Sequence, residues 1–246
     1  MATKLQMMSE LAAQTTERLT QSIDNWTSFL DSAAWLYKYP FHEQVLIHAQ
    51  RPDATACAPI ELWNNAFKRW VNKGAKGIAI IDDSGQKPAL RYVFDVSDTN
   101  TRYNVPFSLW QTRPEYEAQI IEELQNHFGD IGVEDADFSS AVLGIAINAV
   151  SDNYRDYYEE LLKVADNSAL ADMSDDEISS TFMVLLMTSV AHTVFVRLGI
   201  DPAAIFHGDE YDSVTLFNSP DTIAQLGAAT SDISEMVLRQ IERSVR

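Results

Sequence analysis

Residues 78–96 read IAIIDDSGQKPALRYVFDV, and this stretch decides the fold class of the N-terminal half. A β-branched run, Ile78–Asp82, is followed by the turn-forming residues 83–88 and by a second run, Leu90–Val96. Two such runs around a turn rich in Asp, Ser, Gly and Pro are typical of an antiparallel hairpin. Alternation in the second run predicts one buried face, made of Leu90, Tyr92, Phe94 and Val96.

Helices are predicted before the hairpin. Apolar residues at helical spacing indicate a helix over residues 4–20 and another over about 41–50. Between them, a helix capped by Asp24 or Asn25 is expected to run until Pro40 ends it. The N-terminal half is therefore predicted to combine helices with a small antiparallel sheet.

A fourth helix is predicted over Ile60–Asn72, because Pro59 fits the first position of a helix. Its apolar face would consist of Trp63, Phe67 and Trp70. Its polar face would consist of Asn65, Lys68, Arg69 and Asn72. The Gly74–Gly77 segment then supplies a flexible exit towards the hairpin.

The second half is predicted to be helical throughout. Pro114 opens one helix, Asp137 caps a long one, and Ser174 with Glu177 fits a capping box before an uncharged run. The fold class is therefore α+β, mostly helical, with a small antiparallel sheet in the N-terminal half and a helical C-terminal half. Two domains are expected, an α+β module at 1–113 and an acidic helical domain at 114–246.

The charge is divided unevenly between these halves. The chain of 246 residues has a net charge of −18. Residues 1–113 carry 12 Lys and Arg against 11 Asp and Glu, whereas residues 114–246 carry 6 against 25. This balance excludes a uniformly basic nucleic-acid binder, and the single cysteine excludes an internal disulfide framework. The asymmetry suggests two surfaces with different partners, or a coat of acidic helices that keeps the protein soluble.

No secretory or membrane signal is recognised, so a cytoplasmic protein is expected. The uncharged run 178–196 is long enough to approach the thickness of a bilayer. It contains seven Ser, Thr and His side chains, which favour a buried helix of a soluble protein.

The residues with catalytic potential lack the partners that catalysis needs. His42-Glu43 begins a zinc-protease pattern, but position 46 is leucine, so the second histidine of the HExxH motif is absent. His192 and Cys57 are expected to serve as a hydrogen-bonded core histidine and a structural thiol. No phosphate-binding or dinucleotide-binding glycine motif is present. The sequence therefore predicts a non-enzymatic protein with no catalytic residue, no metal and no cofactor.

Basic and aromatic residues cluster within residues 68–92, where only Asp82 and Asp83 oppose them. A positive groove with aromatic side chains binds single-stranded nucleic acid, and the Gly74–Gly77 segment has the GxxG form of a phosphate-clamping loop. The candidate residues are Lys68, Arg69, Trp70, Lys73, Lys76, Lys87 and Arg91. The alternative is that the aromatic rings form core and the lysines solvate one face.

A second hypothesis concerns the acidic half, whose carboxylates would mimic phosphates and bind a protein that expects DNA. The candidates are Glu122, Glu123, Asp156, Glu159, Glu160, Asp175 and Asp176, with Glu115, Glu117 and Glu177 beside them in sequence. A third possibility is a scaffold that docks neighbouring domains.

Four sequence blocks carry a family resemblance: residues 37–44, 50–57, 74–79 and 90–99. Together they resemble the N-terminal region of large helicase/DNA-methylase-like proteins of conjugative elements in Gram-positive bacteria. The resemblance implies a part in a mobile genetic element, with single-stranded DNA, downstream helicase or methylase domains, or a host defence protein as partners.

A more distant resemblance, through residues 63–77, is to the single-strand-binding N-terminal domain of ArdC-type antirestriction proteins. The C-terminal half of those proteins resembles a zinc metallopeptidase. If residues 190–196 stand in the place of its active helix, the glutamate and the second histidine are missing, which argues against peptidase activity.

Overall fold

The fold is α+β and mostly helical, and the strands of the described residues lie in the N-terminal half, as predicted. The structure is a computed structural model that describes residues 2–83, 85–101, 107–132 and 136–245. The N-terminal helices are α1 (Lys4–Leu19), α2 (Ile23–Trp35), α3 (Phe41–Gln50) and α4 (Ile60–Asn65). The strands are β1 (Cys57–Ala58), β2 (Trp70–Val71), β3 (Ile78–Asp82), β4 (Ala89–Asp95) and β5 (Thr99–Asn100). The C-terminal helices are α5 (Glu117–Phe128), α6 (Phe138–Leu162), α7 (Asp175–Leu198) and α8 (Pro220–Ser244).

Capping side chains begin the long C-terminal helices where the sequence predicts. Ser174 and Glu177 form a reciprocal capping box at α7. The carboxylate of Asp137 accepts a hydrogen bond from the Ser140 amide at the start of α6. Gly199 ends α7 with a left-handed φ of 78°, a conformation that glycine adopts without steric cost.

The predicted ends of α2 are wrong. Ser22 caps the helix, because its hydroxyl accepts a hydrogen bond from the Asn25 amide. The helix ends at Trp35, before Pro40, which instead occupies the N-cap position of α3. Tyr37 therefore lies in the connection between the two helices.

The predicted hairpin is confirmed. β3 and β4 pair antiparallel, with Ile78 opposite Val93 and Asp82 opposite Ala89. β1 pairs with the other edge of β4, which gives the order β1-β4-β3. A second, two-stranded sheet pairs β2 with β5.

The predicted buried face of β4 is wrong by one residue. The buried side chains are Val93 and Asp95, whereas Tyr92 is 38% exposed. Asp95 occupies an interior position because its carboxylate accepts hydrogen bonds from the amides of Thr55 and Ala56. Asp95 thus faces inward, where it satisfies buried backbone donors, and Tyr92 faces outward.

The predicted helix over 60–72 is also wrong after Asn65. Lys68 adopts a left-handed conformation with φ 53°, and the Arg69 amide donates to the carbonyl of Trp63. The next residues then form β2 on β5. Helical spacing of aromatic residues did not reveal this pairing, since the partner strand lies about thirty residues further along the chain.

One large hydrophobic core contains residues from both halves of the chain. Trp26 and Phe29 of α2 are buried in the same cluster as Phe182 and Phe195 of α7. The Trp26 indole donates a hydrogen bond of 3.0 Å to Ser189 Oγ. The domain boundary at 113/114 stays a prediction, and this core draws on both sides of it.

A smaller core lies beneath the hairpin. Ile78, Ile80 and Val93 pack there with Leu46 and Ile47 of α3. This core holds β3 and β4 against the helices and leaves their loops at the surface.

Helix α7 is the one helix of the described residues that is long and apolar enough to cross a membrane. Of its most apolar window, 67% is buried inside the protein. Such burial is typical of the core helix of a soluble protein, as the sequence predicts for this run.

Candidate functional site

Four of the residues predicted to bind nucleic acid are exposed lysines: Lys68, Lys73, Lys76 and Lys87. Their amines make no hydrogen bond or ion pair with the described residues. We call these four residues the lysine set. Lys68 lies between α4 and β2, Lys73 and Lys76 lie between β2 and β3, and Lys87 lies in the hairpin turn.

The loop between β2 and β3 lies beside an exposed aromatic ring. A Cβ placed on Gly77 would lie 3.2 Å from the Cβ of Tyr92, so the last residue of the loop lies against Tyr92. The ammonium group of Lys4 lies 4.6 Å from the centre of the same ring. Sequence reasoning missed Lys4, since α1 is far from β4 along the chain.

Arg69 and Arg91 are engaged within the protein. Arg69 donates through Nε to Thr99 Oγ1 at 2.7 Å and through Nη2 to the Thr99 carbonyl at 3.1 Å. Arg91 pairs with the buried carboxylate of Glu43 at 2.6 Å. Both arginines therefore hold strands in place, and the structure leaves their charge less available than that of the lysine set.

The aromatic residues near these lysines have different environments. Trp63 is buried, and its indole donates to the Phe94 carbonyl at 2.8 Å. This confirms, for Trp63, the interpretation as core. Phe67 is 39% exposed and contacts Trp63 and Phe107 with ring centres 5.1 and 5.3 Å away. Trp70 is partly exposed in β2.

The acidic residues of the second hypothesis lie on the surface of α5, α6 and the first turn of α7. All seven are exposed: Glu122, Glu123, Asp156, Glu159, Glu160, Asp175 and Asp176. Two of them pair with neighbouring cations on the same stretch, Glu159 with Arg155 and Glu160 with Lys163. These contacts are exposed and stabilise the fold little.

The histidine of α7 has the role that the sequence predicts. His192 is 5% exposed, with Nδ1 2.7 Å from the Tyr211 hydroxyl and Nε2 3.0 Å from Asp31 Oδ1. Burial raises the pKa of the Cys57 thiol to about 12, so the reactive thiolate is not formed at neutral pH. Within the described ranges, no three His, Cys, Asp or Glu side chains are grouped to hold a metal ion.

The structure also contains a cavity of about 280 Å³ that sequence reasoning missed. Its wall includes Phe67 and Phe107 on one side, and Trp110, Tyr37 and Arg197 on another. Arg197 directly follows the uncharged run of α7, and the sequence alone gives no sign that this charge is buried. Its guanidinium is buried against Trp35 and Trp110, which are both distant in sequence.

Comparisons of the chain with protein-family models, with curated proteins and with solved structures give no significant match.

Proposed function

We propose that the protein is a non-catalytic module that binds single-stranded DNA through the lysine set. The observation that carries the proposal is that the loop bearing Lys73 and Lys76 ends at Gly77, whose backbone lies against the exposed side chain of Tyr92. Cations beside an exposed aromatic ring supply the two contacts that single strands need, to phosphates and to bases.

The lysine set differs from the basic residues of this acidic chain that form ion pairs. In the C-terminal half, Arg155, Lys163 and Arg239 each pair with a carboxylate on their own helix or at its end. The chain has 36 acidic residues, yet the lysine set pairs with none of the described ones. Unpaired cations keep their full charge available to an external polyanion.

Exposed rings supply the second contact. Phe67 directly precedes Lys68 in the chain. Tyr92 lies in β4, the second strand of the hairpin, and both side chains are exposed. Stacking of a base on such a ring contributes ~1–3 kcal/mol and tolerates any sequence. The expected preference is therefore for single strands over duplexes, with little sequence selectivity.

The resemblance to conjugative-element proteins supplies the proposed setting. There the module would act in the cytoplasm and hold the transferred strand for helicase or methylase domains. The acidic helices would limit binding to the N-terminal surface, because they repel phosphate.

A fourfold variant tests the site: Lys68→Gln, Lys73→Gln, Lys76→Gln and Lys87→Gln in the full chain. Fluorescence anisotropy with a labelled single-stranded oligonucleotide should show loss of binding, with the melting temperature nearly unchanged. The matched control removes the same charge from the other half: Arg155→Gln, Lys163→Gln, Arg239→Gln and Arg243→Gln. We expect the control to bind as tightly as wild type. Retained affinity in the lysine variant, or equal loss in both, would contradict the site.

A second candidate function is protein binding by the acidic set, that is, the seven exposed carboxylates on α5, α6 and α7. The exposure of all seven on helices of one half favours it. The chain would then occupy the DNA-binding surface of a host nuclease and so protect a plasmid from that nuclease. Protection that is lost when the acidic set is changed to Asn and Gln, and kept in the lysine variant, would support this function over DNA binding.

A further inference from the structure

The cavity beside α4 is lined by a buried arginine that forms no close ion pair with the described residues. Arg197, at the end of α7, is 4% exposed. Its guanidinium lies 3.5 Å from the ring centre of Trp110 and 5.0 Å from that of Trp35. Nη2 donates to the Trp110 carbonyl at 2.9 Å. No carboxylate of the described residues lies within 4.0 Å of this guanidinium.

The nearest acidic side chain that lines the cavity is already engaged. Glu242 accepts hydrogen bonds from the Tyr37 hydroxyl at 2.7 Å and from Lys38 Nζ at 2.8 Å. The Tyr37 hydroxyl accepts in turn from the Trp110 indole at 2.9 Å. These contacts fix Glu242 and Tyr37, and the charge of Glu242 is balanced by Lys38.

The two tryptophan rings and the Trp110 carbonyl offset part of the cost of burying Arg197, and Glu242 attracts it from beyond ion-pair distance. An anion in direct contact with the guanidinium would offset more of that cost. Burial lowers the pKa of Arg197 to about 10, so the side chain remains cationic at neutral pH. The planar guanidinium can bind both oxygens of a carboxylate at once. Its face lies against Trp110, and the side chain is one of those that line the cavity.

The rest of the cavity wall is largely aromatic and apolar, and it would contact the uncharged part of a bound anion. Trp63, Phe67 and Phe107 contact one another with ring centres 5.1–5.3 Å apart, and Leu62 extends the same wall. Aromatic walls of this kind bind flat apolar groups by offset or edge contacts.

We infer that this cavity binds a small aromatic carboxylate, with the acid group on Arg197 and the ring between the aromatic walls. The ligand is either a free acid or the C-terminal carboxylate of a peptide that ends in an aromatic residue. No member of the lysine set lines the cavity, so the fourfold lysine variant separates this site from DNA binding, although both sites include the ring of Phe67.

Calorimetric titration of the full chain with phenylacetate and with phenylacetamide tests the inference. The two probes differ in charge and share one ring, so wild type should bind the acid about tenfold more tightly, a difference of about 1.4 kcal/mol. Arg197→Met should abolish this preference, and Arg155→Met, at an exposed arginine, should keep it. The fourfold lysine variant should bind phenylacetate like wild type.

A tripeptide ending in phenylalanine, compared with its C-terminal amide, distinguishes a chain terminus from a free acid as the source. Either source supports a carboxylate site. Equal affinity for phenylacetate and phenylacetamide in wild type, no binding of either, or a preference that survives Arg197→Met would overturn the inference. The wild-type comparison decides the question even where Arg197→Met fails to fold.

Discussion

The ring of Phe41, the first residue of α3, packs directly against the backbone of Gly227 in the N-terminal part of α8. A Cβ on Gly227 would overlap three atoms of this ring. The contact joins an N-terminal helix to the last helix of the chain, and both residues are buried. Glycine is needed here for close approach between helices, not to interrupt α8, which is continuous.

Gly227→Ala should therefore destabilise the protein by about 1–3 kcal/mol, the usual cost of overpacking. The effect runs against helix propensity, which favours alanine over glycine by ~1 kcal/mol. Urea unfolding measures the change. Phe41→Leu added to Gly227→Ala should recover part of the loss, and a double variant no more stable than the single one would contradict the proposed overlap.

Asp95→Asn should destabilise the protein by about 1–3 kcal/mol at pH 7, because the amide nitrogen cannot accept hydrogen bonds from buried amides. The carboxylate accepts from the backbone of Thr55, Ala56 and Ser97. Asp83→Asn, at an exposed aspartate beside the hairpin turn, is the matched control and should change stability little. Equal effects of the two substitutions would show that the hydrogen bonds of Asp95 contribute nothing.

The lowered pKa of Asp95 also predicts that stability falls at acid pH. Burial opposes its ionisation, but the hydrogen bonds from Ser97, Ala56 and Thr55 outweigh burial and lower the pKa of Asp95. Its stabilising contribution is thus present above the unfolded pKa, about 3.9, and is lost as pH falls through the lower folded value. Denaturation of wild type and Asp95→Asn from pH 7 to pH 2 should give curves that converge at the acid end.

We expect a second pH dependence of stability from His48, where burial is the cause and not hydrogen bonds. Burial lowers the pKa of His48, whose Nδ1 lies 2.8 Å from Ser32 Oγ. The folded state therefore disfavours the protonated ring. Stability from this group is complete above the unfolded pKa, about 6.5, and declines as pH falls below it. His48→Gln should lose less stability between pH 7.5 and pH 5.5 than wild type, measured by thermal unfolding, and an identical decline would exclude His48 as the cause.

Lys68→Gly should separate stability from binding. Lys68 has a φ of 53°, a conformation that costs a lysine of order 1 kcal/mol and glycine very little. The variant should be more stable by up to about 1 kcal/mol, yet bind single-stranded DNA more weakly because one cation is lost. Lys73→Gly, at an ordinary surface position, should weaken binding without the gain in stability.

Much of the fold follows from local signals. The capping box of Ser174 with Glu177, the cap at Asp137 and the turn between the hairpin strands each act over a few residues, so the sequence alone predicted them. The helix over 60–72 failed because residues 70 and 71 pair with a strand that lies far away in sequence.

The candidate site was only partly accessible to sequence reasoning. Counting charges found the lysine set, because surface lysines need no partner to be recognised. It did not reveal that Arg69 and Arg91 are held by Thr99 and Glu43. Nor did it find Arg197, whose burial depends on tryptophans from two other segments.

The most direct test of the proposed function is the salt dependence of single-strand binding by the full chain. On single strands the slope of log Kobs against log salt concentration is about −0.7 per phosphate neutralised. If each member of the lysine set contacts one phosphate, the slope should be about −3, and it should approach zero in the fourfold lysine variant. Absence of binding at low salt, or a slope that the lysine variant leaves unchanged, would contradict the proposal that these lysines bind single-stranded DNA.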